Sequence, residues 1–417
     1  MTSGPERSNP GAKRRVRLAY LVSHPIQYQA PLLRRIAEET DVDLTVFFGS
    51  DFSVKGYRDA GFGVGVKWDV PLLGGYKHEF LPKLRDRGNA SFASPVNYGL
   101  IRRLRGEGGD PAFDALWVHG YETVNAMHGI LAAKALGIPV LLRAEPWLGD
   151  RGRSVVKLAL KKALFAGLKH LVAGVLPIGT LNAEYWRAYF GDDVAQFAMP
   201  YAVDNGYFAD RAREAATGRA SLQAELGLDA SRPVILFAGK LQPRKQCDHL
   251  IEAYARLSRR AGEEPQAYLV IVGDGEERMS LEQQAAATGL DSIRFCGFRN
   301  QSELPRFFDM ATVFVLPSRH EPWGLIVNEV MNAARATIVS DDVGCAPDLI
   351  ADGVNGCIYP VGDVDALAGA LRRVLEIPGN AETMGRRAFE RIQSWSFEED
   401  VQGLRRALEQ VAPGFMA

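Results

Sequence analysis

The chain has 417 residues, of which 47% are hydrophobic and 24% charged. That composition excludes a disordered polypeptide and, at roughly 150 residues per domain, predicts two or three domains. The 42 glycines follow no Gly-X-Y period, which excludes a collagenous chain and fits repeated strand-to-helix turns. No apolar run approaches the ~18 residues a membrane-crossing helix needs, and the basic stretch Met1 to Arg15 contains no signal-peptide core. The expectation is a cytoplasmic protein with a disordered basic tail over residues 1–15.

Charge is unevenly distributed. Residues 1–200 carry 26 Lys+Arg and 19 Asp+Glu, and residues 201–417 the remaining 23 and 31, so a half of net +7 is joined to a half of net −8. Two domains with different surfaces are implied. No zinc-finger spacing, RNP-like run or dense basic patch accompanies the charge, so no nucleic-acid partner is expected. Cys247, Cys296, Cys345 and Cys357 form no CxxC pair and have no histidine at ligand spacing, which predicts reduced thiols and no metal site.

In chain order, the first half offers strands at Val16–Val22, Leu44–Phe48, Ala115–His119, Val140–Arg143, Val172–Pro177 and Gln196–Pro200. Helical periodicity fills Tyr121–Leu136, Ser154–His170 and Leu181–Tyr189. The stretch Phe52–Ser94 is the least regular, and a long irregular loop within a compact domain is commonly a functional one. The second half repeats the alternation, with strands at Val234–Ala238, Ala267–Val272, Ile293–Cys296, Thr312–Leu316, Thr337–Ser340 and Gly356–Tyr359. Its helices are Cys247–Ala261, Glu276–Ala286, Leu325–Ala334 and Val364–Leu375. Such alternation predicts parallel sheets covered by helices on both faces. The fold class is therefore α/β, with two facing Rossmann-like domains and a cleft between the carboxyl ends of their strands. The expected boundaries are 16–205 for the first domain, 206–231 for a linker, 232–395 for the second domain, and 396–417 for a helix packing back on the first.

Pro317-Ser318-Arg319-His320-Glu321-Pro322-Trp323-Gly324-Leu325-Ile326-Val327-Asn328-Glu329 follows a buried strand and enters a helix, with its glutamates eight positions apart. A helix starting near Trp323 or Gly324 presents free N–H groups and a positive dipole end to phosphate, and Gly324 lets backbone approach a ligand. Glu329, on the second turn of that helix, suits a ribose, because a carboxylate accepts two hydrogen bonds from vicinal hydroxyls. Trp323 either stacks on sugar or packs. Phe237-Ala238-Gly239-Lys240-Leu241-Gln242-Pro243-Arg244-Lys245 follows the first strand of the second domain, and lysines there suit phosphates.

These segments resemble the retaining glycosyltransferases of family 4, whose architecture is GT-B and whose hallmark is a Glu-x7-Glu motif behind a Pro-Ser turn. The resemblance covers about Val234 to Leu375, with Pro200–Asp204 as the usual domain-exit segment. It implies a nucleotide-diphosphate sugar donor held by Gly239, Lys240, Lys245, Gly273, Phe298, Gly324, Leu325 and Glu329. It also implies catalytic roles for Lys240, Lys245, Glu321 and His119. Lys240 stands where the family usually has arginine, so the charge is kept and the planar fork lost; neighbouring Arg244 is a substitute. The two lysines neutralise the diphosphate without a metal, and no cofactor is expected. Where many members have a Gly-Gly loop after the first strand, this chain has Ser23-His24-Pro25-Ile26-Gln27-Tyr28-Gln29, which brings side-chain donors instead. His24, Gln27, Tyr121 and Glu145 are the expected acceptor or cleft residues, and Arg143 a further one.

At 100° per residue, Val156, Ala159, Leu160, Ala163 and Leu164 share the face of Ser154–His170 expected to pack on the sheet. Lys157, Lys161, Lys162 and Lys169 share the other with Leu158 and Phe165, either a solvated basic face or a peripheral contact with anionic membrane at its inner surface. The function expected is transfer of a sugar to a glycan, lipid-linked or small-molecule acceptor with retention of configuration. The rivals are a nucleotide-sugar epimerase or hydrolase on the same fold, and a non-catalytic nucleotide-sugar binder. An NAD-type site is disfavoured, since no G-x-G-x-x-G follows either domain's first strand.

Overall fold

The computed structural model describes residues 15–59, 61–106, 111–149, 155–259 and 267–413. Residues 1–14 of the expected tail, Ser154, and residues 260–261 of an expected helix lie outside this set.

Two parallel sheets carry the chain. The first has seven strands in the order Ala195–Gln196, Gly174–Val175, Val140–Arg143, Ala115–His119, Val16–Val22, Val42–Phe48 and Lys77–Phe80. The second has six, in the order Ile293–Phe295, Tyr268–Val272, Val234–Ala238, Val313–Leu316, Ala336–Ser340 and Gly356–Tyr359. In both, the first strand in sequence lies inside the sheet, so chain direction across the sheet reverses beside it, and ligand crevices form at such switch points. The central strands are buried throughout because helices cover both faces: Val234–Ala238 and Tyr268–Val272 have no exposed residue.

Several elements differ from the expectation. The expected Val172–Pro177 and Gln196–Pro200 are shorter strands, Gly174–Val175 and Ala195–Gln196, although single backbone bonds continue beyond them, Leu176 N to Leu142 O and Phe197 N to Val175 O. Lys77–Phe80 adds an unforeseen edge strand, legible only weakly because its exposed charged residues mark an edge rather than a core strand. Residues 206–231 are not a linker. Asn205–Ala215, whose first turn is capped by the Asp204 carboxylate accepting from Tyr207 N at 2.9 Å, and Arg219–Glu225 are helices. Phe208, Ala212, Leu222 and Leu228 bury into the second domain's core.

The helix Val155–Leu168 is rotated from the expected setting. Phe165 and Leu168 are buried, and the Lys161 ammonium lies 4.3 Å from the Tyr185 ring centre and 4.8 Å from that of Tyr189. Val156, Leu160 and Leu164, expected against the sheet, face outward. The buried aromatic group of Tyr121, Phe165, Tyr185, Trp186 and Phe190 selects the inward face, and aromatic rings compensate a buried ammonium. The expected four-lysine surface therefore does not form: Lys161 points inward and Lys169 is bonded to Asp193 at 2.9 Å.

The last helix, Phe397–Val411, starts with a capping box between Ser396 and Glu399 and returns to the first domain, where Val401, Leu404, Ala407 and Leu408 join its core. Beneath it the Arg143 guanidinium donates to the carbonyls of Met199 and Pro200 at 3.1 and 3.0 Å and to Asp400 at 3.3 Å. Both side chains of this pair are buried, at 3% and 0% exposure. Burial pushes the Asp400 carboxyl up to about 7, against the pull of Arg143. Removing one member of a buried pair costs about 3–5 kcal/mol, so Asp400→Ala should lower the melting temperature by roughly 10 °C. Arg405→Ala, which breaks a one-third-exposed contact to Asp41 and Glu39, should cost about 1 kcal/mol or less. Differential scanning calorimetry of the two variants checks both values.

Candidate functional site

The turns after Val234–Ala238 and Val313–Leu316 are neighbours because those strands pair. This brings the Gly239–Lys245 turn against the loop Pro317–Gly324. The backbones are tied by Arg319 N donating to Arg244 O at 2.6 Å. The Lys245 ammonium donates to Glu321 Oε2, and Arg244 reaches the same oxygen at 3.1 Å. Partners 76 residues apart thus form one buried charge group.

The loop is held from below. Glu321 N donates to Asp342 O at 3.1 Å and Gly344 N to Glu321 O at 2.9 Å. His320 takes a left-handed backbone, φ 51°, with its N–H on the Asp342 carboxylate at 2.9 Å, an unfavourable conformation for a non-glycine residue that the surrounding contacts enforce. Gly324 has φ 89°, and a Cβ there would press on Leu316, so only glycine leads the loop into the helix Ile326–Asn332 at this point. The first amides of that helix have no intrahelical partner. Glu329 lies on its first turn, not its second, because the helix begins two residues later than expected. On the other side, Gly239 N bonds Val272 O and Gly273 N bonds Gly297 O, both at 2.9 Å. A Cβ on Gly273 would collide with the Gly239 carbonyl. Three strand ends are thereby locked together.

Burial works against ionisation of Glu321, but the charges of Lys245 and Arg244 outweigh it and hold its carboxyl below the usual range. Lys245 is lowered by burial, with Glu321 pulling the other way. Among the described residues no cation acts on Glu329. Fully buried, with only the Tyr28 hydroxyl to favour its anion, it is pushed up to about 8. Among the described residues neither of its oxygens makes a full hydrogen bond, and the buried amide oxygens of Gln27 and Gln301 have none.

A cavity of about 430 Å³ lies between the domains, with Lys245, Glu321, Gln27 and Gln301 in its wall, whereas Glu329, an expected donor-binding residue, lies outside its lining. Its wall includes Gly239, Lys240, Lys245, Gly273, Phe298, Glu321, Gly324 and Leu325 from the second domain, and His24, Gln27 and Glu145 from the first. Burial lowers His24 to about 4 and raises the Glu145 carboxyl. His119 stands behind this wall. The Gln29 amide donates to its Nδ1 at 3.1 Å, and its Nε2 is 3.8 Å from Glu145. Burial, with the charges of Arg143 and His24, lowers His119 to about 3, so it is a neutral imidazole near pH 7.

Other sequence-derived candidates lie elsewhere. Tyr121 is buried with its hydroxyl 2.6 Å from that of Tyr185; the chain turns inward after Gly120 and carries Tyr121 into the aromatic group under the Val155–Leu168 helix. Arg143 is taken by Asp400 and the domain-exit carbonyls rather than by the cleft. Trp323 does line the cavity, but it is held by packing, stacked 5.5 Å from Trp395 and donating to Asn328 at 3.0 Å.

Residues not singled out from sequence also line the cavity, among them Asp59, Phe62, Trp68 and Tyr201. The Asp59 carboxylate accepts from Lys240 Nζ at 2.8 and 3.0 Å across the cleft, and Phe62 meets Phe298 edge-on at 4.8 Å. Asn300 Nδ2 donates to Lys67 O at 2.8 Å, and Ser302 to Asp69. For Asp59, Phe62, Lys67, Trp68 and Asp69 the signal in the sequence was the irregular Phe52–Ser94 stretch, which marks the region without naming the residues.

Residues 219–391 match the family described as Glycosyl transferases group 1. Alpha-D-kanosaminyltransferase of Streptomyces kanamyceticus is 36% identical over 41% of this chain and 43% of its own length. D-inositol 3-phosphate glycosyltransferase of Streptomyces griseus is 33% identical over 67% of this chain and 64% of its own. The chain therefore spans less than two thirds of either relative. The crystal structure of Anabaena HepE in complex with UDP superposes with a TM-score of 0.70 at 16% identity, covering 95% of this chain and 100% of that one. Across residues 219–391 the chain thus resembles the group 1 glycosyltransferases, and over 95% of its length it has the fold of HepE, two parallel-sheet α/β domains.

Proposed function

We propose that the protein transfers a sugar from a nucleotide-diphosphate donor to an acceptor with retention of anomeric configuration. The observation that carries this reading is the meeting, at one interdomain cavity, of two lysines with buried acceptor oxygens that lack partners. Within the cleft each lysine holds a carboxylate, Lys240 that of Asp59 and Lys245 that of Glu321. A donor diphosphate offers the same charge to the same cations, so binding replaces one compensation with another instead of stripping it away. The buried amide oxygens of Gln27 and Gln301 and the carboxylate of Glu329 suit a polyhydroxyl ligand, whose O–H groups supply the missing donors.

In this reading Lys240, Lys245 and the amides at Gly324 and Leu325 stabilise the departing diphosphate as the anomeric C–O bond breaks. Glu329 accepts from the ribose, and the turns at Gly273 and Phe298 flank the base. Glu321, steered by Lys245, orients the donor sugar. The acceptor enters from the first domain past His24, Gln27 and Glu145. Its oxygen attacks from the face the diphosphate leaves, and the diphosphate takes the acceptor proton, which needs no carboxylate nucleophile. His119 acts through Gln29 and Glu145 as a neutral positioning group. HepE is a UDP-bound protein of the same fold, so uridine-diphosphate sugars are the first donors to test.

Thermal-shift screening with UDP, GDP, ADP and TDP sugars identifies the donor, because a ligand at about 100 times its Kd adds about 2.7 kcal/mol. Anomeric-proton NMR of the product then reads configuration; an inverted product refutes retention. Lys245→Ala should lower turnover by about 10²–10³-fold, the usual loss for one leaving-group stabiliser, with the fold intact by circular dichroism.

Glu329 supplies a second prediction. Without donor, the folded protein keeps this proton up to about pH 8, against an ordinary value of 4.5. Between those values the folded state binds more protons than the unfolded one, so this group's contribution to stability falls as pH rises. Glu329→Gln should melt several degrees above wild type at pH 8, match it near pH 4.5, and bind the donor more weakly. Melting curves at the two pH values, with and without donor, measure all three.

A further inference from the structure

We infer that the acceptor carries an amine, and that Asp59 and Phe62 form the site that takes its ammonium group. The inference rests on the proposed transfer and names the class of its acceptor. The site already holds a cation of the protein itself. Lys240 Nζ lies 2.8 and 3.0 Å from the two Asp59 oxygens and 4.9 Å from the centre of the Phe62 ring. A carboxylate beside an aromatic face is a setting that holds an ammonium group. Other contacts fix the carboxylate as well. Its Oδ1 accepts from the amides of Gly61 and Phe62 at 2.8 and 3.0 Å, and its Oδ2 from the Tyr57 hydroxyl at 3.2 Å. Asp59 is buried, which works against its ionisation, but Lys240 and these amides outweigh burial and hold the carboxyl below its ordinary range. Three donors remain when Lys240 leaves, so the carboxylate keeps its orientation.

Donor binding takes Lys240 away. In the proposed transfer its ammonium moves to the diphosphate, and a buried carboxylate stripped of its cation is strongly unfavourable. An ammonium group on the second substrate restores the pair. The protein itself offers no replacement among the described residues. To the cavity wall the first domain contributes the carboxyl groups of Asp59 and Glu145, a neutral His24, and no lysine or arginine. The remaining cations of the wall belong to the second domain: Arg244 and Lys245 lie on Glu321, and Arg299 on Glu303. A phosphorylated acceptor meets like charge at Asp59, and an uncharged one leaves it unpaired. Gln27 lines the same cavity, 8% exposed and with an unpartnered amide oxygen, and accepts a further N–H or O–H. An amine on Asp59 is protonated, so it holds the acceptor while a hydroxyl of the same molecule attacks the donor.

The test loads the full chain with the nucleoside diphosphate that thermal-shift screening selects. Kd values for D-glucosamine, 6-amino-6-deoxyglucose, N-acetyl-D-glucosamine, D-glucose and glucose 6-phosphate are then read by saturation-transfer NMR slightly below neutral pH. One of the two amines should bind at least about tenfold tighter than glucose, the usual worth of one hydrogen bond to a charged group. The N-acetyl sugar, which keeps the nitrogen without the charge, and the phosphate should gain nothing. Nucleotide should tighten the amine and leave glucose unchanged. Asp59→Asn, which keeps an oxygen for the amides of Gly61 and Phe62, should erase the amine preference while glucose binds as before, and Phe62→Leu should reduce it. A merely structural Asp59 would weaken every sugar alike. Amines that bind no better than glucose or its phosphate, amines that fail to bind, or a preference that survives both substitutions overturns the inference. If a variant misfolds, the wild-type series decides alone. Failure of every nucleotide to shift the melting temperature overturns the transferase reading and this inference with it; a normal shift without amine preference overturns this inference only.

Discussion

Cations in the low-dielectric space between the two sheets must be balanced, because an ion removed from water without a partner costs several kcal/mol. Three pairs meet that demand. Lys245 lies on Glu321, Lys240 on Asp59, and Arg143 on Asp400. The first is formed within the second domain, the second joins the two domains across the cleft, and the third ties the returning C-terminal helix to a strand end of the first domain. In the proposed function, the donor diphosphate is the anion that takes the place of the carboxylates of Asp59 and Glu321 on these lysines.

Glu329 is the exception, and it is informative. It is buried on the helix that follows the Pro317–Gly324 loop, outside the cavity lining and with no cation shifting it among the described residues, and its carboxyl is neutral near pH 7. A stability-optimised site would replace it with an apolar side chain of similar volume. An uncompensated buried carboxyl destabilises the protein on its own, a pattern associated with functional positions.

Closure of the cleft is shared between distant segments. The irregular stretch after Val42–Phe48 reaches the second domain through Asp59, Phe62, Lys67 and Asp69. On the far side, the exit segment through Tyr201 and the last helix return the chain to the first domain. Arg143, at the end of a strand whose carboxyl edge faces the cleft, is drawn away from it to satisfy three acceptors at this return. A strand end near a crevice is thus not enough to place a side chain in it; the competing demand of a buried carboxylate decides.

The paired α/β domains were legible from sequence because runs such as Val234–Ala238 and Val313–Leu316 are short, aliphatic and regularly alternated with helices, a local signal that survives without tertiary context. The motif from Pro317 to Glu329 was equally local: its proline, glycine and paired acids prescribe a turn and a helix start wherever the chain places them. What the sequence could not decide was which side chains met across the fold. Val155–Leu168 carries apolar residues on every side, so its wheel admits two settings, and only the aromatic group around Phe165 and Tyr185, which also accommodates Lys161, chooses between them. Tyr121 is drawn into that same group. Asp59 meets Lys240 across 181 residues, and Glu329 lacks a cation among the described residues, through the arrangement of three strand ends and an opposing domain. Secondary structure follows from short-range sterics and hydrophobic period; side-chain pairing, burial and ionisation follow from long-range packing, and the working character of this cleft belongs to the second class.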